Sequence, residues 1–157
     1  MADLWTWRDE PLAPGRAVVV DIDGVIADNR HRLHYLDRRP KDWDRFFAAA
    51  DADVPIAAGL RLLDALDPEV AIVLLTGRPV RLRGLTVDWL ERHGVAWDLL
   101  GMRPDDDRSQ ATNFKRRAVD ALNGLGWDIE LAIDDEPAVA DAYERAGIPC
   151  FRVAFGR

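Results

Sequence analysis

The sequence predicts an α/β fold in three layers: a parallel sheet with helices on both faces, and a small insert after the first strand. Three observations carry this. Short, near-continuous apolar runs recur at RAVVVD (16–21), VAIVLL (70–75) and IELAI (129–133), the pattern of strands buried on both faces. Stretches of helical period lie between and after these runs, with Gly94 and Gly147 as stops. Polar residues gather at the carboxyl ends of the runs, where a packed core would have none and where an open α/β sheet forms its ligand crevice.

Taken in order, the first 15 residues, with Pro11, Pro14 and Gly15, read as an irregular lead-in. Arg16 to Asp21 is the first strand. A polar insert follows at about 28–58, in which Trp43, Phe46 and Phe47 mark one short helix and the insert's small core. Ala57 to Leu66 places Leu60, Leu63 and Ala65 at helical spacing, and Val70 to Leu75 is the second buried strand. Pro79 to His93 reads as a helix, with Pro79 in its first turn and Leu82, Leu85, Trp89 and Leu90 as its inner stripe. Trp97 to Leu100 is a third, short strand, followed by a charged loop over 101–111. Thr112 is placed to cap a helix running to about Asn123, with Phe114, Ala118, Ala121 and Leu122 on one face. Ile129 to Ile133 is a strand, Pro137 to Ala146 a helix, and Cys150 to Phe155 the last strand.

The chain has 157 residues, the size of a single domain (1–157), and is 48% hydrophobic and 31% charged, an ordinary globular balance. Its net charge of -7 argues against a surface that attracts nucleic acid or anionic lipid as a whole, while leaving room for a local basic site. One cysteine, Cys150, cannot form an internal disulfide and is expected to be buried and inert. Met1 to Glu10 lacks the features of a signal peptide, and no stretch approaches the ~18 apolar residues of a membrane span. The expected setting is cytoplasmic, with no membrane partner.

The chemistry sits at the strand tips. The first strand ends in Asp21-Ile22-Asp23-Gly24, the second in Thr76-Gly77-Arg78, and the strand over 129–133 in Asp134-Asp135. Asp21, Asp23, Asp134 and Asp135 would converge in one crevice, where like charges repel strongly at low dielectric. A divalent cation removes that cost, and an oxygen-only donor set suits a hard ion such as Mg2+. Lys115 falls in the expected first turn of a helix, where an ammonium beside the helix N-terminus makes an anion site, while Arg116 and Arg117 read as solvated. Acids with a cation, together with Thr, Lys and Arg for an anion, point to phosphoryl transfer.

These residues resemble the haloacid dehalogenase (HAD) superfamily, whose Rossmann-like fold carries four short motifs in fixed order. Asp21-Ile22-Asp23-Gly24-Val25 resembles the first, Leu74-Leu75-Thr76-Gly77 the second, Lys115 the third and Asp134-Asp135 the fourth, with spacings of 55, 39 and 19 residues. A narrower likeness links Thr76-Gly77-Arg78, Met102-Arg103-Pro104, Asp107 eight residues before Lys115, and Leu131 to Asp135 with the 3′-phosphatase domain of bacteriophage polynucleotide kinase. The sequence departs from that family at Ser109, where an Arg often stands, with Arg108 one position earlier. No GxxxxGK[ST] loop of a kinase half is found.

The resemblance implies a Mg2+-dependent phosphomonoester hydrolase working through an aspartyl-phosphate. Asp21 would be the nucleophile, and Asp23 a partly protonated general acid and then base. Thr76, Gly77, Arg78, Lys115 and Arg103 would bind phosphate or substrate. Asp21, Asp23 (through its carbonyl), Asp134 and Asp135 would hold the metal, one of the last pair directly and the other holding a metal-bound water or orienting Lys115. Arg78 reads equally as a surface salt bridge. His31, His34 and His93 do not make a metal set. The insert is a small cap, so the crevice should stay open to a large substrate. Arg30, Arg32, Arg38, Arg39 and Lys41 read equally as candidates to track phosphates there and as a solvated polar lid, and Trp43, Phe46 and Phe47 would alternatively stack a base. The expected function is that of a polynucleotide 3′-phosphatase, with a nucleotidase or small-molecule phosphatase, and then a non-catalytic binding domain, as alternatives.

Overall fold

The computed structural model describes residues 2–155; the expected domain limits at 1 and 157 lie outside the described residues. In chain order the strands are β1 (Trp5–Trp7), β2 (Arg16–Val20), β3 (Ala27–Asp28), β4 (Val54–Pro55), β5 (Ala71–Pro79), β6 (Leu99–Arg103), β7 (Asp128–Asp134) and β8 (Cys150–Arg152). The helices are α1 (Trp43–Ala48), α2 (Ala57–Asp64), α3 (Arg83–Arg92), α4 (Ala111–Gly124) and α5 (Pro137–Arg145).

Six strands form one sheet in the order β1-β6-β5-β2-β7-β8. The apolar run of β2 is flanked on both sides by parallel partners, Val20 pairing with Leu74 of β5 and with Ile133 of β7. Successive side chains of a strand point to opposite faces. Val18 and Val20 therefore enter one core with Leu63, Leu74, Trp89 and Leu90, under α2 and α3. Ala17 and Val19 enter the other with Phe114, Val119, Leu122 and Tyr143, under α4 and α5. The result is the expected three-layer α/β architecture. From β2 the chain crosses to β5 and β6 on one side, then returns to β7 on the other. That reversal opens a crevice beyond the carboxyl ends of β2 and β7.

Four expectations are corrected. The lead-in contains β1, which runs antiparallel to β6 at the sheet edge, with Trp5 opposite Gly101 and Trp7 opposite Leu99. Aromatic and β-branched residues suit such a strand, but three residues are too few to show a period. Pro79 ends β5 instead of opening a helix; a 3-10 turn over Val80–Leu82 intervenes, so α3 begins at Arg83. Thr112 does not cap α4. The cap position is Gln110, in extended conformation, and Lys115 falls in the second turn. The preceding loop is already folded by Asp107, whose Oδ1 accepts from the Ser109 amide at 2.8 Å. Cys150, expected to be buried, is only part-buried. No helix among the described residues is long and apolar enough to cross a membrane.

The insert is tied at its base, where β3 and β4 pair antiparallel, Ala27 with Pro55 and Asp28 with Val54. Between them lie a 3-10 helix over Arg30–Leu36, α1, and a second 3-10 turn over Ala49–Ala52. Of Trp43, Phe46 and Phe47, Phe46 alone is buried; Trp43 is 44% exposed and Phe47 part-buried, so the small aromatic core expected there is mostly surface. On leaving the insert, α2 presses against the loop after β2. A Cβ on Gly59 would come 1.8 Å from the Val25 carbonyl oxygen, a contact only glycine permits.

Candidate active site

Asp21 is the first residue past β2. Its amide donates to the Ile133 carbonyl at 3.0 Å, which fixes it over the gap between β2 and β7. The chain then turns sharply: the amides of Val25, Ile26 and Ala27 all donate to the Ile22 carbonyl, and Gly24 sits at φ 84. The turn brings the backbone against Asp135, so that a Cβ on Gly24 would lie 2.1 Å from Asp135 Oδ2. Asp134 and Asp135 leave the tip of β7 beside it. Carboxylate oxygens of Asp21, Asp134 and Asp135 lie within 4.8 Å of one another. Lys115 reaches this cluster from α4, only 4% exposed, with Nζ 2.7 Å from Asp134 Oδ2 and 3.1 Å from Asp21 Oδ1. The other Asp134 oxygen accepts from the Glu136 amide at 3.0 Å, so both oxygens of Asp134 are already engaged by the protein.

One ammonium faces three carboxylates. Burial, and then the charge of Asp134, push the Asp21 carboxyl well above its usual range, against the pull of Lys115. Burial alone would lower the Lys115 ammonium, but Asp21 and Asp134 outweigh it and hold the group charged. The cluster thus retains excess negative charge and offers only oxygen, a donor set that fits a hard divalent ion better than any side chain present.

The carboxylate of Asp23 does not join this cluster. It turns into the insert, toward two arginines. Arg78 donates to it from Nη2 at 2.9 Å and from Nε at 3.2 Å, and Arg32 from Nη2 at 2.9 Å. Burial would raise the Asp23 carboxyl, yet Arg78 first and Arg32 next outweigh it and hold it below the usual range. This departs from the expected partly protonated acid, and the cause is the pair of guanidinium groups. Both are essentially buried, Arg32 at 0% and Arg78 at 1% exposure. Both also bond to Asp53: Arg32 from Nε and Nη2 at 2.8 and 2.9 Å, and Arg78 from Nη2 at 3.1 Å. Asp53 is itself only 3% exposed, accepts a contact from the His31 ring at 2.7 Å, and has its carbonyl bonded by Trp89 Nε1 at 2.9 Å.

Thr76 lies in β5 where its pairing with β6 is interrupted between Leu75 and Pro79, fully buried, its Oγ1 accepting from the Arg78 amide at 3.1 Å, which leaves the hydroxyl hydrogen to donate. Arg78 is thus neither a surface salt bridge nor a fork offered to solvent. Its donors are spent on Asp23, Asp53 and Thr86. Gly77 and Arg103 line a cleft of about 460 Å³ that opens beside the strand tips. The basic set expected to follow phosphates loses Arg32 to the interior, while Arg30 pairs with Asp28 at 2.6 Å and Arg38 with Asp42 at 3.8 Å. Arg117 stays at the surface as expected, paired with Asp107 at 2.7 Å. Sequence reasoning missed Asp53 altogether and saw Arg32 only as one of a basic cluster. No local signal marks either residue, since their pairing closes across 21 positions.

This fold, with acids at adjacent strand tips and a buried lysine, is that of the HAD phosphatases. A HAD-like phosphatase from Mesorhizobium loti superposes with a TM-score of 0.59 at 17% identity, over 92% of this chain and 75% of that one. A HAD family enzyme from Bacteroides thetaiotaomicron, solved with magnesium and inorganic phosphate, gives 0.51 at 13% identity, over 90% and 96%. A chain of the Pnkp1/Rnl/Hen1 RNA repair complex gives 0.76 at 25% identity, over 96% of this chain but 46% of that one, so the chain spans about half the length of that relative. The family described as the polynucleotide kinase PNKP phosphatase domain matches residues 15–157, and the chain belongs to it: it is a phosphatase of the HAD superfamily.

Proposed function

We propose that this chain is a polynucleotide 3′-phosphatase that acts through a phosphorylated Asp21. The observation that carries the reading is the placement of Lys115 between Asp21 and Asp134, with Asp135 alongside, at the tips of two adjacent strands. A carboxylate oxygen of Asp21 attacks phosphorus. The bond from phosphorus to the leaving 3′ oxygen breaks, and Asp23 supplies the proton that the alkoxide needs. Asp23 then takes a proton from water, which attacks the same phosphorus, releases inorganic phosphate and restores the Asp21 carboxylate. The arginines hold Asp23 as a base at rest. An arriving phosphate dianion works in the opposite sense and raises it toward the value an acid requires.

Lys115 and the Thr76 hydroxyl offset the charge on the transferring oxygens. Asp134 orients Lys115. Mg2+ would be held by the carboxylates of Asp21, Asp134 and Asp135 and by the main-chain carbonyl of Asp23. When bound, it neutralises charge on the nucleophile and the phosphoryl group. The choice of a nucleic-acid end as substrate rests on the family match and on the open cleft beside the site. The one part-buried cysteine fits a reducing, cytoplasmic setting. The test is phosphate release from a 3′-phosphorylated oligonucleotide against a panel of nucleotides and small phosphomonoesters. A higher kcat/KM on the oligonucleotide is expected. Equal or better turnover of the small esters would overturn the assignment in favour of a nucleotidase or small-molecule phosphatase.

A further inference from the structure

The cleft beside the strand tips has two unlike walls, and neither is explained by binding a phosphoryl group. One wall comes from the insert. Trp43 and Phe47 stack with ring centroids 5.6 Å apart at 27°, and Trp43 remains 44% exposed. Cations edge this pair, the Arg81 guanidinium 5.4 Å from the Phe47 centroid and Lys41 Nζ 5.8 Å from that of Trp43. The opposite wall is Arg103 and the loop that follows β6. Of the three acids of that loop, Asp105 bonds the Arg81 amide at 2.9 Å, Asp107 bonds Arg117 at 2.7 Å, and Asp106 is exposed and does not line the cleft. Arg103 has no such partner. Its Nε is buried without a hydrogen-bond partner, and neither Arg103 nor the exposed Arg108 forms an ion pair among the described residues. The Arg103 guanidinium stands close to Gly77, one residue past Thr76, so one end of the cleft lies beside the residue proposed to bind phosphate.

A cleft of about 460 Å³ falls within the ~300–1,000 Å³ of sites that enclose small molecules, much larger than a phosphoryl group needs. An exposed aromatic face on one side and unpaired guanidinium on the other is the pattern that holds single-stranded nucleic acid, with bases stacked and backbone phosphates paired. We propose that this cleft is a nucleoside subsite: the terminal base of a 3′-phosphorylated strand stacks on Trp43, and Arg103 pairs with the next phosphodiester. This inference rests on the function proposed above and adds to it the residues that read the leaving nucleoside.

The test compares a 3′-phosphorylated trinucleotide with the same molecule made abasic at its terminal residue, and glycerol phosphate as a small ester. The wild type should favour the base-bearing trinucleotide by about 5- to 150-fold in kcat/KM, mainly through KM, as expected of one stacked base. That ratio should fall to near one in Trp43→Ala and be largely kept in Trp43→Phe. Should the alanine variant fail to fold, Trp43→Leu keeps an apolar contact with Phe46 and should still lose the ratio. A wild-type ratio near one, or a ratio that survives in Trp43→Ala or Trp43→Leu, would overturn the subsite while leaving the 3′-phosphatase reading intact. Turnover of glycerol phosphate with none of either trinucleotide would remove that reading and the subsite with it.

Discussion

Asp53→Asn is the substitution that should disturb the molecule most for the least change in shape. The carboxylate of Asp53 is buried and accepts three bonds from the guanidinium groups of Arg32 and Arg78, neither of them more than 1% exposed. With Asp23 it balances two positive charges by two negative ones. An amide at this position removes one of the negative charges and turns an NH2 toward at least one guanidinium. Removing one partner of a buried ion pair costs about 3–5 kcal/mol, because the other charge stays buried and uncompensated. For a chain of this size that corresponds to a fall in Tm of roughly 6–20 °C. Differential scanning calorimetry of the wild type and Asp53→Asn measures it. Activity should fall as well, since Arg32 and Arg78 would lose the anchor that holds them against Asp23. A change in Tm within about 2 °C would refute the reasoning and would mean that water screens the uncompensated guanidinium charge.

Other expectations follow from the same geometry. Lys115→Met should lower kcat by about 100-fold or more, with steady-state phosphate release as the assay, because the charge it places between Asp21 and Asp134 is lost. Gly24→Ala forces a side chain into a position at φ 84 and within 2.1 Å of Asp135 Oδ2, so Asp135 must move. Mg2+ affinity, read by calorimetric titration, should weaken about 10- to 100-fold. Burial first, and then the charges of Asp134 and Glu144, push the Cys150 thiol up to about 11. A raised value keeps the unreactive thiol form in place across neutral pH. Alkylation by iodoacetamide at pH 8 should therefore run on the order of 100-fold slower than for an ordinary cysteine, and its rate should climb through a midpoint near pH 11.

The sequence carried the sheet and the strand tips because their signals are local. An apolar run such as VAIVLL declares a buried strand on its own, and Asp21, Thr76 and Asp134 each follow such a run directly. Lys115 was recognisable by its spacing from them, although the helix around it begins two residues earlier than Thr112 implied. What stayed hidden depends on contacts distant in the chain. β1 is three residues long and exists because β6 offers it an edge. The orientation of Asp23 is set by Arg32 and Arg78, and both of these by Asp53, which is 25 positions from Arg78 and carries no motif. Arg78 reads in the sequence as a surface or phosphate-facing residue because an arginine at a strand tip usually is one. Only the folded insert shows a carboxylate waiting on its far side.

The central claim is that Asp21 attacks phosphorus, and it is tested most directly by phosphate release from a 3′-phosphorylated oligonucleotide by the wild type, with Mg2+ and with EDTA, beside Asp21→Asn. The account predicts release that requires the metal and that drops by on the order of 10³-fold or more in Asp21→Asn, while the variant keeps the wild-type fold. Release that persists in Asp21→Asn, or that EDTA leaves unchanged, would contradict it.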